Sequence, residues 1–452
     1  MPELPEVETV RLGLLPYLKN KTIKYVEVLY PKHSHLNEIK NQKILDIKRK
    51  GKYLIFCLED YYLISHLRME GKYFINESID NLKKHDLVKF YLNDDTLIYN
   101  DVRRFGVFYL LNKDSDIYNI YPLNKVGSEP FDIKDEELLE KLKNRKDKIK
   151  TALLDQSVIS GLGNIYVDEV LFLSKINPNR LSSSINKDEV KSIITSSIEV
   201  LNKAIKEGGS TIKSFTAFNG EVGHFQNSLK VHGKDDLRCD VCLNYIERIK
   251  IGGRSTYYCP TCQKLNKSQK IYGITGGFSS GKTTVINILK KLNESTYSTD
   301  AIYKELFDSS NELRREIKKH FKTLDRSKLS KIVFNSNRGN EKLKEITHKY
   351  ILRELFLRIE NDNSKRIFVE IPLLFEGSYN KLFNKTITVL ESDEVHQKIL
   401  KSKNFSIEED ELRNKSQISK LEKSKMSDLI LYNNSSISNL EKEVIKLIKE
   451  LC

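Results

Sequence analysis

Residues 239–283 carry two signatures that one small domain cannot hold at once. The first is Cys239-x2-Cys242-x16-Cys259-x2-Cys262; the second is Gly276-x4-Gly281-Lys282-Thr283. Two Cys-x2-Cys knuckles can set four thiolates tetrahedrally around one structural Zn2+. The stretch between them, LNYIERIKIGGRSTYY, reads as a hairpin turning at Gly252-Gly253, with Arg254 on its tip and suited to a phosphate contact. The second signature follows an apolar strand, KIYGIT, and precedes a helical run, TTVINILKKL. That is the context a phosphate-cradling loop requires. Gly276, Gly277, Ser279, Ser280 and Gly281 would form the cradle, and Lys282 would reach the β- and γ-phosphates. Thr283, followed by Thr284, would face Mg2+. At most eight residues, 263–270, are left for a linker.

The periodicity differs on the two sides of that linker. Residues 1–15 read as a cap and a helix, with Pro5 in the first turn and Glu6 and Glu8 at the positive end of its dipole. From about 22 to 111, short apolar and β-branched runs alternate with turn signals, which predicts a sandwich or barrel. From about 134 to 207 the period becomes helical, and 208–238 is rich in glycine. Beyond Lys270, helices alternate with short strands (RIFVEIPLLF, KTITVL, DLILYNN), an α/β pattern. The expected division is 1–130, 131–235, 236–265 and 266–452.

The net charge of +14 favours a polyanionic partner, nucleic acid first. Lysine enrichment from an AT-rich genome would produce the same excess. No stretch approaches the roughly 18 apolar residues of a membrane span. The N-terminus has neither the basic nor the apolar region of a secretory signal. Four of the six cysteines share one window, which suits a reducing bacterial cytoplasm better than a disulfide framework.

The chain opens MPELPEVE. Removal of Met1 before a proline is sterically easy and would leave Pro2 with a free secondary amine. Its pKa, about 7.7–8.0, keeps a neutral fraction at pH 7. Such an amine can attack an electrophilic sugar carbon and pass to an iminium, with Glu3 beside it to move protons. Alone, the stretch reads rather as a capped helix start. In order with SHLRMEGKY (65–73), NDVRRFGVF (100–108), GLGNIYVDEVLF (161–172) and the four-cysteine window, it resembles formamidopyrimidine-DNA glycosylase over about 1–265.

That resemblance implies a multidomain protein: an N-terminal β-sandwich, then a helix-two-turn-helix domain with a zinc finger. It implies excision of 8-oxoguanine and formamidopyrimidines from double-stranded DNA, then β,δ-elimination of the abasic strand. Pro2 would be the nucleophile on C1′, Glu3 the general acid/base, Glu6 its support, and Lys52 the binder of the neighbouring phosphate. The damaged nucleotide must leave the stack. Met69, Arg103 and Phe105 match the residues that fill its place, as apolar wedges do elsewhere. Arg104 belongs to the same DNA-binding run, and His66, Asn164 and Arg254 match phosphate binders. TAFNGEVGHF (216–225) matches a loop that closes on the extruded base. An endonuclease VIII-like enzyme for oxidised pyrimidines shares Pro2 and Glu3. Leu4, the Met/Arg/Phe set and the long loop favour the purine branch.

YGITGGFSSGKTT, STDAIYKELF, LDRSKLSKIVF and VEIPLLFE are similar to dephospho-coenzyme A kinase over about 271–450. The similarity implies a P-loop α/β domain with a parallel sheet. It would use ATP and Mg2+ to phosphorylate the 3′-hydroxyl of dephospho-CoA, with Asp300 activating that hydroxyl and IPLLFE lining the acceptor pocket. Three positions depart from the pattern. Ser298 stands where a second carboxylate is common, and Lys349 where a proline often follows His348. Ser402, flanked by Lys401 and Lys403, stands where a lid arginine is expected. Lysine does not replace arginine at a phosphate clamp, so a weakly active or different P-loop kinase remains open. So do two further readings: a zinc-finger regulator without catalysis, and a repair machine driven by ATP.

Overall fold

In the computed structural model, the period-two runs pair as two four-stranded antiparallel sheets. The strands are β1 (Tyr25–Val28), β2 (Ile44–Lys50), β3 (Tyr53–Leu58), β4 (Tyr61–His66), β5 (Lys72–Asn76), β6 (Asp86–Tyr91), β7 (Thr96–Asn100) and β8 (Val107–Asn112). One sheet has the order β1-β6-β7-β5 and the other β2-β3-β4-β8. The structure describes residues 1–76, 84–210, 222–334, 336–402 and 417–451. They divide into two units, one of residues 1–233 with 248–258, the other of 234–247 with 259–452. Among the described residues no helix is long and apolar enough to cross a membrane.

The strand-like reading of 22–111 misses one element. Pro31–Ile39 is 3-10 structure, started by a proline, kinked at His33 and burying His33, Leu36 and Ile39. Such turns are used in short pieces.

Helix α1 (Leu4–Leu18) carries Pro5 in its first turn. Its Val7, Val10, Leu14 and Leu18 join the sandwich core. Its Leu4 joins a different core, made by α2 (Asp135–Lys143), α3 (Ile149–Leu154), α4 (Asn164–Leu173) and α5 (Lys187–Lys206). Charge reinforces this link. Arg49 on β2 meets Glu8 of α1 at 2.8 Å and Glu129, ahead of α2, at 2.6 and 2.9 Å. The Gly51 N–H also donates to Glu129, at 2.6 Å.

The hairpin read at Gly252-Gly253 is β9 (Glu247–Ile251) and β10 (Arg254–Tyr258), with positive φ at both glycines. The second unit has a five-stranded parallel sheet of β11 (Lys270–Gly276), β12 (Ser295–Ser298), β13 (Arg366–Glu370), β14 (Lys385–Glu391) and β15 (Leu429–Asn433). Its order is β12-β13-β11-β14-β15. RIFVEIPLLF reads as one strand but ends at Glu370, because Pro372 has no N–H for a ladder. α6 (Lys282–Lys291) and a helix at Ile437–Glu450 share an apolar core with this sheet. α7 (Thr299–Ser309), α8 (Asn311–Phe321), α9 (Arg326–Phe334) and α10 (Asn337–Glu360) form a neighbouring cluster. The expected linker is fastened at its end: the buried Gln269 amide donates to Asp362 O at 2.8 Å, and Lys270 N to Lys365 O at 2.8 Å.

Arg49→Met would leave two carboxylates without their shared cation. The expected cost is about 3–5 kcal/mol, read as an earlier urea transition by hydrogen exchange in residues 44–133.

Candidate active sites

Because α1 starts at Leu4, Glu3 is its cap and Glu6 lies one turn in. Glu3 N–H donates to Glu6 Oε2 at 2.8 Å. The Glu3 carboxylate takes the N–H groups of Ile165 (3.0 Å) and Tyr166 (3.4 Å), in the first turn of α4. This places an anion at the positive end of a helix dipole. A Cβ on Gly163, the cap of α4, would lie 2.3 Å from Glu3 Cδ, so any other residue there would displace the Glu3 carboxyl. Glu6 Oε1 accepts from Tyr166 Oη (2.5 Å) and Ser210 N (2.8 Å). The buried Lys52 Nζ donates to Leu162 O at 2.7 Å.

Burial pushes the Glu3 carboxyl up and the Lys52 ammonium down, while their mutual attraction opposes both shifts. Burial likewise pushes the chain's α-amino group below its ordinary 8.0, against the pull of Glu3 and Glu6. Pro2 is buried under a half-exposed Met1. Pro2, Glu3, Glu6 and Lys52 thus converge. Tyr166 and Ser210, which complete the cluster, are not legible in the sequence. Tyr166 lies inside GLGNIYVDEVLF, but nothing in that run marks it as the residue facing Glu6.

Asp101 is a second residue that the sequence reading misses, and it shapes the turn carrying Arg103, Arg104 and Phe105. Its buried carboxylate accepts from Arg103 N (3.0 Å) and Gly106 N (2.8 Å). A Cβ on Gly106 would lie 1.7 Å from Tyr99 Oη. The Phe105 ring is 50% exposed under the Arg103 guanidinium, with Cζ 4.9 Å from its centroid. Arg104 instead lies over Tyr30. Met69 sits in the turn after β4, half-buried.

His66 is buried and accepts from Arg68 N at Nδ1 (2.9 Å). Burial, then Arg68 and Lys52, push it down to about 3, so it is neutral. Asn164 Nδ2 donates to Ser255 O of β10 (3.0 Å), while its Oδ1 is buried without a partner. Arg254 is exposed. A fully buried Lys150–Asp168 pair (2.5 Å), joined by His232 (2.7 Å) and Ser255 O, ties α3 and α4 to the same hairpin. Of TAFNGEVGHF, residues 216–221 lie outside the described residues. Phe225 packs on Tyr166, with ring centroids 5.5 Å apart.

The four window cysteines converge. Their sulfurs all lie within 4.8 Å of one another, with Cys239–Cys262 at 3.8 Å and Cys242–Cys259 at 3.4 Å. A tetrahedral Zn–S bond of about 2.3 Å sets sulfurs about 3.8 Å apart. The donor set therefore fits one zinc, and four thiolates leave no open position, which makes the site structural.

In the parallel sheet, β11 runs into the glycine loop, and α6 starts directly after Gly281, whose φ is +95°. A Cβ there would lie 2.4 Å from Asn433 Nδ2, which donates to Ser280 O at 3.0 Å. The Ser279 and Ser280 hydroxyls are buried without partners, as donors reserved for phosphate oxygens would be. Lys282 Nζ donates to Gly277 O (2.6 Å), and burial pushes it down to about 8. The loop opens on a cavity of about 1380 Å3 that Thr283, Thr284, Asp300 and Glu370 also line. Thr283 Oγ1 donates to Glu370 Oε1 at 3.1 Å. Burial, then the Glu370 charge, push Asp300 up. Glu370 therefore brings a second carboxylate near Asp300, although Ser298 lacks one. Ser402, the exposed last residue of its helix, also lines this cavity, and Lys403 lies outside the described residues.

Family models match this chain in four places. They are the formamidopyrimidine-DNA glycosylase N-terminal domain (1–108), its H2TH domain (126–216), the zinc finger found in FPG and IleRS (236–265) and dephospho-CoA kinase (270–439). A formamidopyrimidine-DNA glycosylase of Oceanobacillus iheyensis is 46% identical over 274 residues, covering 58% of this chain and 98% of that protein. One from Shouchella clausii is also 46% identical over 274 residues, covering 58% and 99%. The solved complex between Lactococcus lactis Fpg and DNA containing an abasic site aligns at a TM-score of 0.55 with 41% identity. It covers 58% of this chain and 99% of that one.

Metal analysis is expected to return one zinc per chain. Cys259→Ser should bring that below about half, and undiminished zinc in this variant would contradict a four-thiolate site.

Proposed function

Because the chain belongs to the formamidopyrimidine-DNA glycosylase family and carries a dephospho-CoA kinase domain behind it, we propose two linked activities. The first is excision of oxidised purines from double-stranded DNA through the N-terminal proline. The second is phosphorylation of the 3′-hydroxyl of dephospho-CoA with ATP. The four matched ranges support the division into 1–130, 131–235, 236–265 and 266–452. The absence of a membrane-spanning helix among the described residues and the bacterial relatives favour the cytoplasm.

The observation that carries the first activity is the buried cluster of Glu3, Glu6, Lys52 and Tyr166 around the start of the chain. With Met1 removed, the Pro2 nitrogen attacks C1′ of the damaged nucleotide, and the base leaves with a proton. The nitrogen lone pair then forms the iminium as the C1′–O4′ bond opens and O4′ takes a proton; loss of a C2′ proton expels the 3′ phosphate oxygen, and loss of a C4′ proton then expels the 5′ one. Glu3, with its pKa raised by burial, is suited to exchanging protons with the sugar. Its hold on α4 fixes its position, and Glu6 fixes the cap. Lys52 supplies a cation for the phosphate beside the lesion. Met69, Arg103 and Phe105 form the wedge, with Asp101 setting the angle of the last two. Arg104, His66, Asn164 and Arg254 contact the DNA, His66 as a neutral donor.

In the kinase, the loop Gly276–Thr284 holds the ATP phosphates, and Thr283 with Glu370 holds the accompanying Mg2+. Asp300, pushed up by burial, takes the proton of the acceptor hydroxyl.

Borohydride is expected to trap a covalent complex with 8-oxoguanine duplex in the mature protein and none in Pro2→Gly; persistence in that variant would remove Pro2 as the nucleophile. An oxidised-pyrimidine duplex trapped faster than the purine one would instead favour the endonuclease VIII type. Lys282→Ala is expected to lower CoA formation about 100-fold or more while trapping continues. A protonated amine cannot attack, so trapping falls as pH drops through the Pro2 amine pKa, ordinarily about 7.7–8.0. Lys52 lies close enough to the start of the chain to disfavour a charged α-amino group there, so in Lys52→Met the acid limb of the pH–rate profile should move to higher pH.

A further inference from the structure

His348 and Tyr379 line the P-loop cavity together with Ile371, Pro372 and Leu373 of the IPLLFE run read as the acceptor pocket. Tyr379 Oη lies 2.6 Å from His348 Nδ1. Both belong to a longer chain of contacts inside the second unit. The Arg238 guanidinium lies 5.9 Å from the Tyr379 ring centroid and 5.7 Å from that of Tyr245. On α10, Lys349 and Arg353 follow His348, and both are held by acids that flank the first cysteine pair. Lys349 Nζ meets Asp236 at 2.9 Å, and Arg353 Nη2 meets the other oxygen of Asp236 at 2.9 Å. Arg353 Nε lies 3.0 and 2.8 Å from the two oxygens of Glu247.

We propose that segment 234–247, which carries the first zinc knuckle, is a positioning element of the kinase. Arg238 packs on Tyr379, and Asp236 and Glu247 grip α10, so that His348 and Tyr379 are set for the dephospho-CoA acceptor. The proposal rests on the kinase reading given above. It accounts for a departure noted in the sequence: a proline at 349 could not reach Asp236, and a lysine can. A guanidinium shared between two carboxylates fixes orientation as well as distance. Burial, then Lys344 and Arg238, push His348 down to about 4, so its ring is neutral. A neutral ring that accepts the Tyr379 O–H at Nδ1 carries its proton at Nε2. That N–H is a donor for an acceptor oxygen. Arg238, Asp236 and Glu247 do not line the cavity and act only through the residues that do.

The test is steady-state kinetics on the full chain, with zinc content checked, for Arg353→Met, Glu247→Gln, their double variant and Arg238→Gln. The KM for dephospho-CoA should rise about 5–10-fold in each single variant, while the KM for ATP stays within about twofold. The Arg353/Glu247 double variant should be no worse than the worse single, as expected for two halves of one contact. Dephospho-CoA affinity by calorimetry should fall by the same factor. An unmoved KM for dephospho-CoA in both Arg353→Met and Arg238→Gln would overturn the proposal, as would full additivity in the double variant. If Arg238→Gln sheds zinc, Arg353→Met decides alone. Failure of the unaltered chain to phosphorylate dephospho-CoA would overturn the kinase reading and this proposal together; product formation with unmoved KM overturns only the proposal.

Discussion

The Glu3 carboxylate, held by the first-turn amides of α4, is the contact on which the first unit depends. An N-terminus is normally a frayed end. Here it is a shared beam: Leu4 belongs to the helical core, and the rest of the apolar face of α1 belongs to the sandwich. Glu3 stands at the junction and cannot shift without moving both. Burying charge in this way is costly unless each charge is answered. Two backbone amides answer Glu3; Tyr166, Ser210 and the Glu3 amide answer Glu6; Lys52 lies close enough to both to oppose their desolvation. The same accounting suits the site to the proposed chemistry. A buried pocket with fixed dipoles needs little rearrangement when charge develops within it.

The second unit solves a different problem with a parallel sheet. Its strands end together, and the carboxyl end of β11 leads into a loop whose buried hydroxyls and amides face the cavity. Acid density there is set by two carboxylates on separate elements, Asp300 at the start of α7 and Glu370 at the end of β13. Glu370 is buried, and Asp300 is held high partly by that neighbour. A proton acceptor and a cation holder can thus coexist although one acidic position is occupied by Ser298.

Much of this was legible in the sequence, because the telling signals are local. Each Cys-x2-Cys pair and the glycine loop between strand and helix is shorter than about ten residues, and MPELPE takes its meaning from short runs that follow it in order. What was not legible was convergence. Tyr166 reaches Glu6 across 160 positions and Ser210 across 204, while Arg353 reaches Asp236 across 117. No periodicity encodes such meetings. Asp101 was hidden for another reason: its role is to hold backbone, and an aspartate in a turn reads as ordinary turn chemistry. The strand expected over RIFVEIPLLF ends before Pro372, a local signal outweighed by the apolar run around it.

Gly281 and Asn433 carry a consequence for the order in which the second unit assembles. The turn of the phosphate loop is closed by a side chain 153 positions later, from the last strand of the sheet. Contacts of such separation pay their loop-closure entropy late. The loop therefore reaches its phosphate-binding shape only when β15 has docked. Nucleotide affinity in this unit is then a readout of finished folding, and partly folded chains cannot sequester ATP.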